Sequence, residues 1–237
     1  MLYSRHRRAD PRIAAQIEGA LADASSVLDV GAGTGSYEPR SRKVLAVEPS
    51  EVMVRQRPPN SAPVVRAVAE SLPLASACFD AALAVLTLHH WSDPLAGLRE
   101  LCRVASRIVI LTFDPVLHSG LWVLTDYLPE SNELVSNRCP DPGRVAEEIG
   151  ATRVETVPVP HDCVDGFNWA YWRRPWAYLD AEVRSCISGI AQLPPQLVGE
   201  RMTRLRRDLD SGAWHDKHGD LLQENFVDGG FRLVVRD

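Results

Sequence analysis

Gly31, Gly33 and Gly35 stand at alternate positions in LDVGAGTGSYEP, residues 28 to 39, directly after an apolar run. Glycines in this pattern let a turn approach a ligand closely and offer it backbone amide donors. Dinucleotide sites use such a turn for pyrophosphate, but their G-x-G-x-x-G/A pattern ends on a small apolar residue. Here Ser36 fills that place, and Asp29 stands two residues before the first glycine. A carboxylate repels a pyrophosphate and attracts a cation. The ligand that suits Asp29 is an adenosine with a positively charged tail. S-adenosylmethionine has both a sulfonium and an α-ammonium group. A turn-capping role for Asp29 stands beside this reading. Glu48, 19 residues further on at the end of the next apolar run, tips the balance toward the ligand. An acid there can accept the two ribose hydroxyls, a feature common to dinucleotide and adenosylmethionine sites.

Residues able to move a proton cluster after the later apolar runs. His89 and His90 follow LAVLTL, and imidazole titrates near neutral pH. At least one of the two is expected to act as general base, His89 ahead of His90; the alternative is that one of them hydrogen-bonds the backbone and caps the helix start. Trp91 reads as site wall, and Asp114 as either a turn residue or a substrate acceptor. His161 and Asp162 form a second polar pair, with His161 a third candidate base. In DGFNWAYWRRPW, the residues Trp169, Trp172 and Arg173 suit an aromatic or carboxylate-bearing substrate, or else pack a helical cluster. His118, His215 and His218 have no comparable placement and are expected at the surface.

The elements that must position these residues alternate. Strands are expected at 27–30, 43–50, APVVRAV, FDAALAVLTL, RIVILTFDP, RVETVPVP and GGFRLVVRD. Helices are expected at DPRIAAQIEGAL, SEVMVRQR, SDPLAGLRELCRVA and DPGRVAEEIG, each start marked by Asp or Ser. Such alternation predicts an α/β fold with a mostly parallel sheet. Residues 115–140 read as polar and turn-rich. The expected organisation is one domain over 1–237, with a helical lid or substrate-binding insert at 162–225 before the last strand.

Taken in order, VLDVGAGTGSYEP, VLAVEPS, AESLPLASACFDAALAVLTLHHWSDPLAGLRELCRVA and RIVILTFDP resemble the class I S-adenosylmethionine-dependent methyltransferases. The likeness is to the small-molecule branch containing ubiquinone/menaquinone-biosynthesis enzymes, and its ordered motifs cover roughly residues 25 to 115. It implies a Rossmann-like seven-stranded sheet whose last strand is antiparallel, with helices on both faces. Asp29, Gly31, Ala32, Gly33 and Gly35 would surround the methionine moiety. Glu48 and Pro49 match the ribose segment, Met53 a residue packed on adenine, and Ala69 with Glu70 the adenine border. Leu86 and Thr87 match the strand end beneath the sulfonium. Tyr3 and Arg8 resemble N-terminal residues that fold over the cofactor carboxylate. Two departures stand out. Val68 occupies the place that often supplies an adenine-contacting aspartate, and Pro39 interrupts the helix normally started by the glycine motif.

Composition narrows the partners. With 26 Lys and Arg against 31 Asp and Glu, the net charge of −5 does not favour nucleic acid. No apolar run approaches the ~20 residues of a membrane span. The five cysteines are scattered, without metal-knuckle spacing, so no metal is expected and a reduced cytoplasmic protein, monomer or homodimer, is the default. Exocyclic base methylation would call for an Asp/Asn-Pro-Pro-aromatic run where Thr87-Leu88-His89-His90 stands. Cytosine C5 methylation would call for a Pro-Cys nucleophile, whereas Cys139 precedes Pro140. Arginine methylation would call for paired glutamates after the fourth strand. These eliminations leave transfer of a methyl group to O, N or C of a small metabolite. A non-catalytic adenosylmethionine or adenosylhomocysteine sensor or partner protein is the alternative. An NAD-dependent oxidoreductase is disfavoured by Asp29 and Ser36.

Overall fold

Apolar runs of β-branched residues become strands where they are covered on both faces. The structure, a computed structural model, describes residues 6–136 and 138–237, so Tyr3 lies outside the described residues. Its strands are β1 (Ser26–Val30), β2 (Lys43–Val47), β3 (Val64–Val65), β4 (Phe79–Val85), β5 (Ala105–Phe113), β6 (Arg153–Thr156), β7 (Val159–Pro160), β8 (Phe226–Val227) and β9 (Phe231–Arg236). Seven of them form one sheet in the order β3-β2-β1-β4-β5-β9-β6. Pairing is parallel from β3 through β5, and β9 runs antiparallel to both β5 and β6. This is the Rossmann-like arrangement expected from the sequence. The chain leaves β1 toward β2 on one side and returns to β4 on the other. In open α/β sheets, ligands bind at the carboxyl ends of strands where the order reverses in this way.

Chain contacts divide the protein into two units. The sheet unit comprises Ala9–Asp114, Arg138–Val157 and Phe231–Asp237. Its helices start as their sequences dictate. Asp10 caps α1 (Pro11–Leu21), Ser50 caps α2 (Glu51–Arg55), Asp93 caps α3 (Pro94–Val104) and Asp141 caps α7 (Pro142–Ile149), each through a side-chain oxygen accepting a backbone amide. Pro at the first helical position accompanies three of these four caps. One core layer packs Leu98 and Leu101 of α3 and Val145 and Ile149 of α7 against Leu28, Ala82, Ile108 and Val234 of the sheet. Buried Ile13, Ile17 and Leu21 of α1 are absent from that layer, and α1 lies against β5. β3 is shorter than its sequence suggests, with Val64 and Val65 in register with Ala46 and Val47 of β2. No helix follows the glycine turn: residues 31 to 42 contain none, in keeping with Pro39.

The helical unit comprises the described residues within Met1–Arg8, Pro115–Asn137 and Pro158–Gly230, a wider span than 162–225. It contains α4 (Pro115–His118), α5 (Trp122–Asp126), α6 (Pro129–Ser136), α8 (Ala181–Ser185), α9 (Ser188–Ala191), α10 (Pro195–Asp210) and α11 (Ala213–His218), together with short 3-10 turns and the β7–β8 ribbon. Of residues 115–140, expected to be turn-rich, the stretch 115–136 forms three short helices because Leu121, Trp122, Val123, Leu124 and Leu128 find an apolar home. That home is aromatic: the Trp122 ring meets Tyr178 and Trp214 edge-on, each with centroids 5.2 Å away. Among the described residues, no helix is long and apolar enough to cross a membrane.

Candidate cofactor and active site

The glycine turn is fixed at both ends. Gly31 and Ala32 donate their amides to the Val47 carbonyl at 2.8 and 3.1 Å, which ties the exit of β1 to the end of β2. Gly31, Gly33 and Gly35 have φ of 73°, 54° and 86°, a region that costs other residues strain. Gly31 is glycine for a second reason. A Cβ there would lie 2.0 Å from Thr87 Oγ1. At Gly33 a Cβ would meet nothing within 4 Å, so the turn opens on that side.

Acidic groups surround this opening. Asp29 is buried, and its carboxyl is raised to about 7, first by loss of solvent and then by the nearby charge of Glu38, with Arg57 opposing and Glu48 adding. Glu48 is also buried and spans the turn: Oε2 accepts from Gly33 N and Oε1 from Ser50 N, each at 2.8 Å. Each carboxylate oxygen keeps a further lone pair for a hydroxyl donor. Pro49 beside it is exposed, and Met53 is half-buried on α2. Three carboxyl groups against one guanidinium make a field that fits a cation and opposes a phosphate.

Glu38 and Arg57 carry the support that sequence reasoning missed. Arg57 donates to the Gly33 carbonyl and the Ala62 carbonyl, both at 3.1 Å, and pairs with Glu38, both side chains being almost fully buried. Glu38 also accepts from Ala62 N at 2.9 Å. Its neighbour Tyr37 accepts through its hydroxyl from Asp10 N at 3.3 Å. A side-chain clamp thus holds the turn where the motif normally starts a helix. The only trace in the sequence is a pair of charges 19 residues apart, with no period to mark them.

At the end of β4, Leu86 adopts φ 50° and donates its amide to Leu111 O at 2.8 Å. A non-glycine residue in that region marks a strained, over-determined position, and the sequence carries no signal for it. Thr87 is buried, and its hydroxyl receives the Trp91 indole N–H at 3.3 Å. The Trp91 ring packs where Gly97 has no side chain and belongs to the core layer. His89 and His90 occupy a single 3-10 turn with ring centroids 4.0 Å apart, and His89 lies 5.4 Å from the Phe113 ring. His89 is half-buried and His90 exposed. Asp114, directly after β5, is half-buried. Beneath it, Cys139 Sγ lies 3.5 Å from Thr112 Oγ1, and burial pushes its thiol up to about 11, which makes it a poor nucleophile.

After β3, Val68 is exposed and Ala69 buried. Glu70 Oε1 accepts from Ser92 N at 2.6 Å and Asp93 N at 3.1 Å, so this carboxylate caps the entry to α3. Burial alone would raise its pKa, but the amides of Asp93, Glu70 and Ser92 outweigh it and hold the carboxyl below its usual value.

The structure therefore gathers Asp29, Gly31, Ala32, Gly33, Gly35, Glu48, Pro49, Met53, Ala69, Glu70, Leu86, Thr87, His89, His90, Trp91 and Asp114 in the sheet unit, on the strand ends and the segments that follow them. Arg8, His161, Asp162, Trp169, Trp172 and Arg173 belong to the helical unit. There Arg8 and Asp162 are exposed, and His161 donates its amide to Asn225 O at 2.9 Å. Arg173 donates to Glu224 O at 2.8 Å, and Trp169 and Trp172 are buried. Two of the three histidines expected at the surface are not there. His118 is buried, and the loss of solvent lowers its pKa to about 4. His218 is half-buried with Nε2 2.8 Å from Asp126 Oδ2, and His215 alone is exposed.

Residues 28–111 match the family model described as a methyltransferase domain. A structure from Anabaena variabilis, assigned to methyltransferases of an antibiotic biosynthesis pathway, matches 99% of this chain and 100% of its own, with TM-score 0.90 and 33% identity. A Bacillus halodurans protein assigned to methyltransferases matches 94% of this chain and 96% of its own, at TM-score 0.56 and 16% identity. SpnF, a 4+2 cyclase, matches 94% of this chain and 78% of its own, at TM-score 0.57 and 17% identity. The last two likenesses are of fold alone, and the cyclase illustrates that one fold carries several chemistries. Among curated proteins, no sequence matches the chain.

Proposed function

The chain belongs to the class I S-adenosylmethionine-dependent methyltransferases, and from that premise we propose that it methylates an oxygen or nitrogen atom, or a carbon, of a small metabolite. The observation that carries the cofactor half is Asp29, a buried carboxyl among further acids beside an open glycine turn. When bound, S-adenosylmethionine supplies an electrophilic methyl carbon on a cationic sulfur. Asp29, beside the open glycine turn, would hold its amino-acid end, Glu48 the ribose, and Met53, Ala69 and Glu70 the adenine. Leu86 and Thr87 would flank the sulfur.

The acceptor half rests on different grounds. The Anabaena relative is assigned to antibiotic biosynthesis, which is small-molecule chemistry. The base, cytosine and arginine signatures are missing from the strand-four and strand-five ends. Positioning supplies much of the rate of an in-line displacement, and a base is needed only where the acceptor has a proton to lose. His89 is the proposed base, with His90 and His161 behind it. Trp91 and Asp114, and within 162–225 Asp162, Trp169, Trp172 and Arg173, are the proposed acceptor-binding side chains, that segment acting as a lid. The proposed setting is the cytoplasm, as monomer or homodimer.

Titration calorimetry with S-adenosylhomocysteine and with NAD tests the cofactor, and methyl-labelled S-adenosylmethionine with a low-molecular-mass extract tests transfer. Binding of adenosylhomocysteine but not NAD, abolished in Asp29→Ala, is the expected result. NAD binding without adenosylhomocysteine binding refutes the proposal. Binding with no transfer to any fraction turns it toward a sensor. His89→Ala should lower transfer and spare binding; unchanged transfer removes His89 from the mechanism.

A further inference from the structure

The helical unit holds a histidine–carboxylate pair that the proposed function does not use. His218 Nε2 lies 2.8 Å from Asp126 Oδ2, which Lys217 Nζ also reaches at 2.7 Å, and the Thr125 hydroxyl lies 3.1 Å from Oδ1. Burial alone would raise the Asp126 carboxyl, but hydrogen bonds from Lys217, His218 and Thr125 hold it below its usual value. Ionised near neutrality, it can only accept, so the proton shared by the pair belongs to Nε2. In the neutral imidazole Nδ1 then carries the lone pair. Nδ1 has no hydrogen-bond partner among the described residues, and unlike the indole nitrogens of Trp172 and Trp214 it is open to water. The ring packs against Trp122 and Trp214, with centroids 5.9 and 5.5 Å away.

His218 borders a cavity of about 330 Å³, and Asp126 does not. Nδ1 is therefore the ring nitrogen left for a molecule bound there. The volume is near the lower end of the ~300–1,000 Å³ typical of small-molecule sites. Much of the remaining wall is apolar. Trp122 Nε1 and Trp169 Nε1 are spent on the carbonyls of Trp172 and His118 at 2.8 and 2.9 Å, so these two rings have no donor to spare. Leu221 and Val227, both half-buried, add aliphatic surface. The charges around the cavity do not suit an anion. Lys217 is answered by Asp126, and exposed Asp220 adds a carboxylate. An oriented lone pair in an apolar wall suits an uncharged ligand with one strong donor.

We infer that this cavity binds a neutral, phenol-like molecule, an apolar ring with one hydroxyl group whose O–H donates to His218 Nδ1. The site belongs to the helical unit alone and does not depend on the proposed methyl transfer.

The probes are 2-naphthol and 2-methoxynaphthalene, neutral planar molecules of similar size of which only the first can donate. Excited 2-naphthol is a strong acid and emits as naphtholate, at longer wavelength, where a base takes its proton. The full-length protein should bind 2-naphthol saturably at one site per chain, about fivefold more tightly than 2-methoxynaphthalene. The bound 2-naphthol should show naphtholate emission. His218→Phe keeps a ring against Trp122 and Trp214 and removes the acceptor. It should erase both the preference and the naphtholate emission and leave 2-methoxynaphthalene affinity unchanged. Leu221→Trp fills the cavity and should weaken both probes by at least about tenfold. Near-ultraviolet circular dichroism and the melting temperature establish that the variants fold. Should either fail, His218→Leu replaces His218→Phe and Val227→Trp replaces Leu221→Trp. Absence of saturable binding overturns the site, as does binding of both probes unchanged by the cavity-filling variant. Equal affinity for the two probes in the parent protein, with no naphtholate emission, overturns the hydroxyl assignment. A preference and an emission that persist in the His218 variant overturn the role of His218.

Discussion

Thr87 Oγ1 fills the space where a Gly31 side chain would be: a Cβ on Gly31 would stand 2.0 Å from it. This contact joins the ends of β1 and β4, the two strands between which the sheet order reverses. The glycine is therefore required by its neighbour as much as by its φ of 73°.

Gly31→Ala meets both penalties at once and should destabilise the protein by about 3 kcal/mol, read as a lower urea midpoint at constant slope. Thr87→Gly in the same chain should recover part of that loss, because it removes the clash and leaves the backbone strain. Gly33→Ala has φ 54° but an empty surround, so it should cost only about 1 kcal/mol. Its larger effect should be on adenosylhomocysteine affinity, since the added methyl enters the open side of the turn.

Asp29 links cofactor binding to pH. Its carboxyl is raised to about 7 in the free protein, so between the ordinary carboxyl range and pH 7 the folded state holds a proton that the unfolded state has lost. Stability of the free protein should fall as pH rises through that window, by at most about 4 kcal/mol, and level off above it. Asp29→Asn should abolish this slope and be the more stable protein above neutrality. A cationic ligand selects the ionised carboxylate. Adenosylhomocysteine affinity should therefore weaken about tenfold per pH unit below 7. Denaturation and calorimetry across pH check the two trends, which run in opposite directions.

Arg57 and Glu38 set both the shape and the charge of the same turn. Arg57→Met leaves the Glu38 carboxylate buried without its guanidinium, at a cost of about 3–5 kcal/mol. Combining it with Glu38→Gln should cost less than the two single changes added together. A purely structural clamp would stop there. Because Arg57 lowers the Asp29 pKa and Glu38 raises it, Arg57→Met should move the pH midpoint of adenosylhomocysteine binding upward and Glu38→Gln should move it downward. Identical midpoints in all three proteins would remove these residues from cofactor tuning.

Particular residues explain why the sheet unit was legible and parts of the site were not. Strand and helix positions follow from local signals that survive folding: Asp10-Pro11, Asp93-Pro94 and Asp141-Pro142 each open a helix, and FDAALAV is apolar because both its faces are covered. Asp29 and the glycines were readable because charge and φ preference are properties of single residues. The Arg57–Glu38 clamp and the strained Leu86 depend on which loops meet in space, and no spacing encodes that. The helices within 115–136 were missed for the opposite reason. Their apolar residues are paired with Tyr178 and Trp214, far along the chain, and look like isolated hydrophobes in a polar stretch. His118 was misplaced likewise, since nothing local announces its burial.

Glu70 gives the sharpest separation between scaffold and site. Its carboxylate receives Ser92 N and Asp93 N, so the cap should contribute about 1 kcal/mol near neutral pH. The carboxyl is held below its usual value, hence that stability is present above the unfolded pKa and is lost as pH falls through the folded one. Glu70→Ala should therefore be less stable than the parent at neutrality, and the gap should close in acid. An adenine contact would add a different signature, weaker adenosylhomocysteine binding at a pH where both proteins are fully folded. Urea midpoints across pH measure the first effect and calorimetry at neutral pH the second. A stability gap that stays constant into acid would mean the carboxylate does not act as the cap.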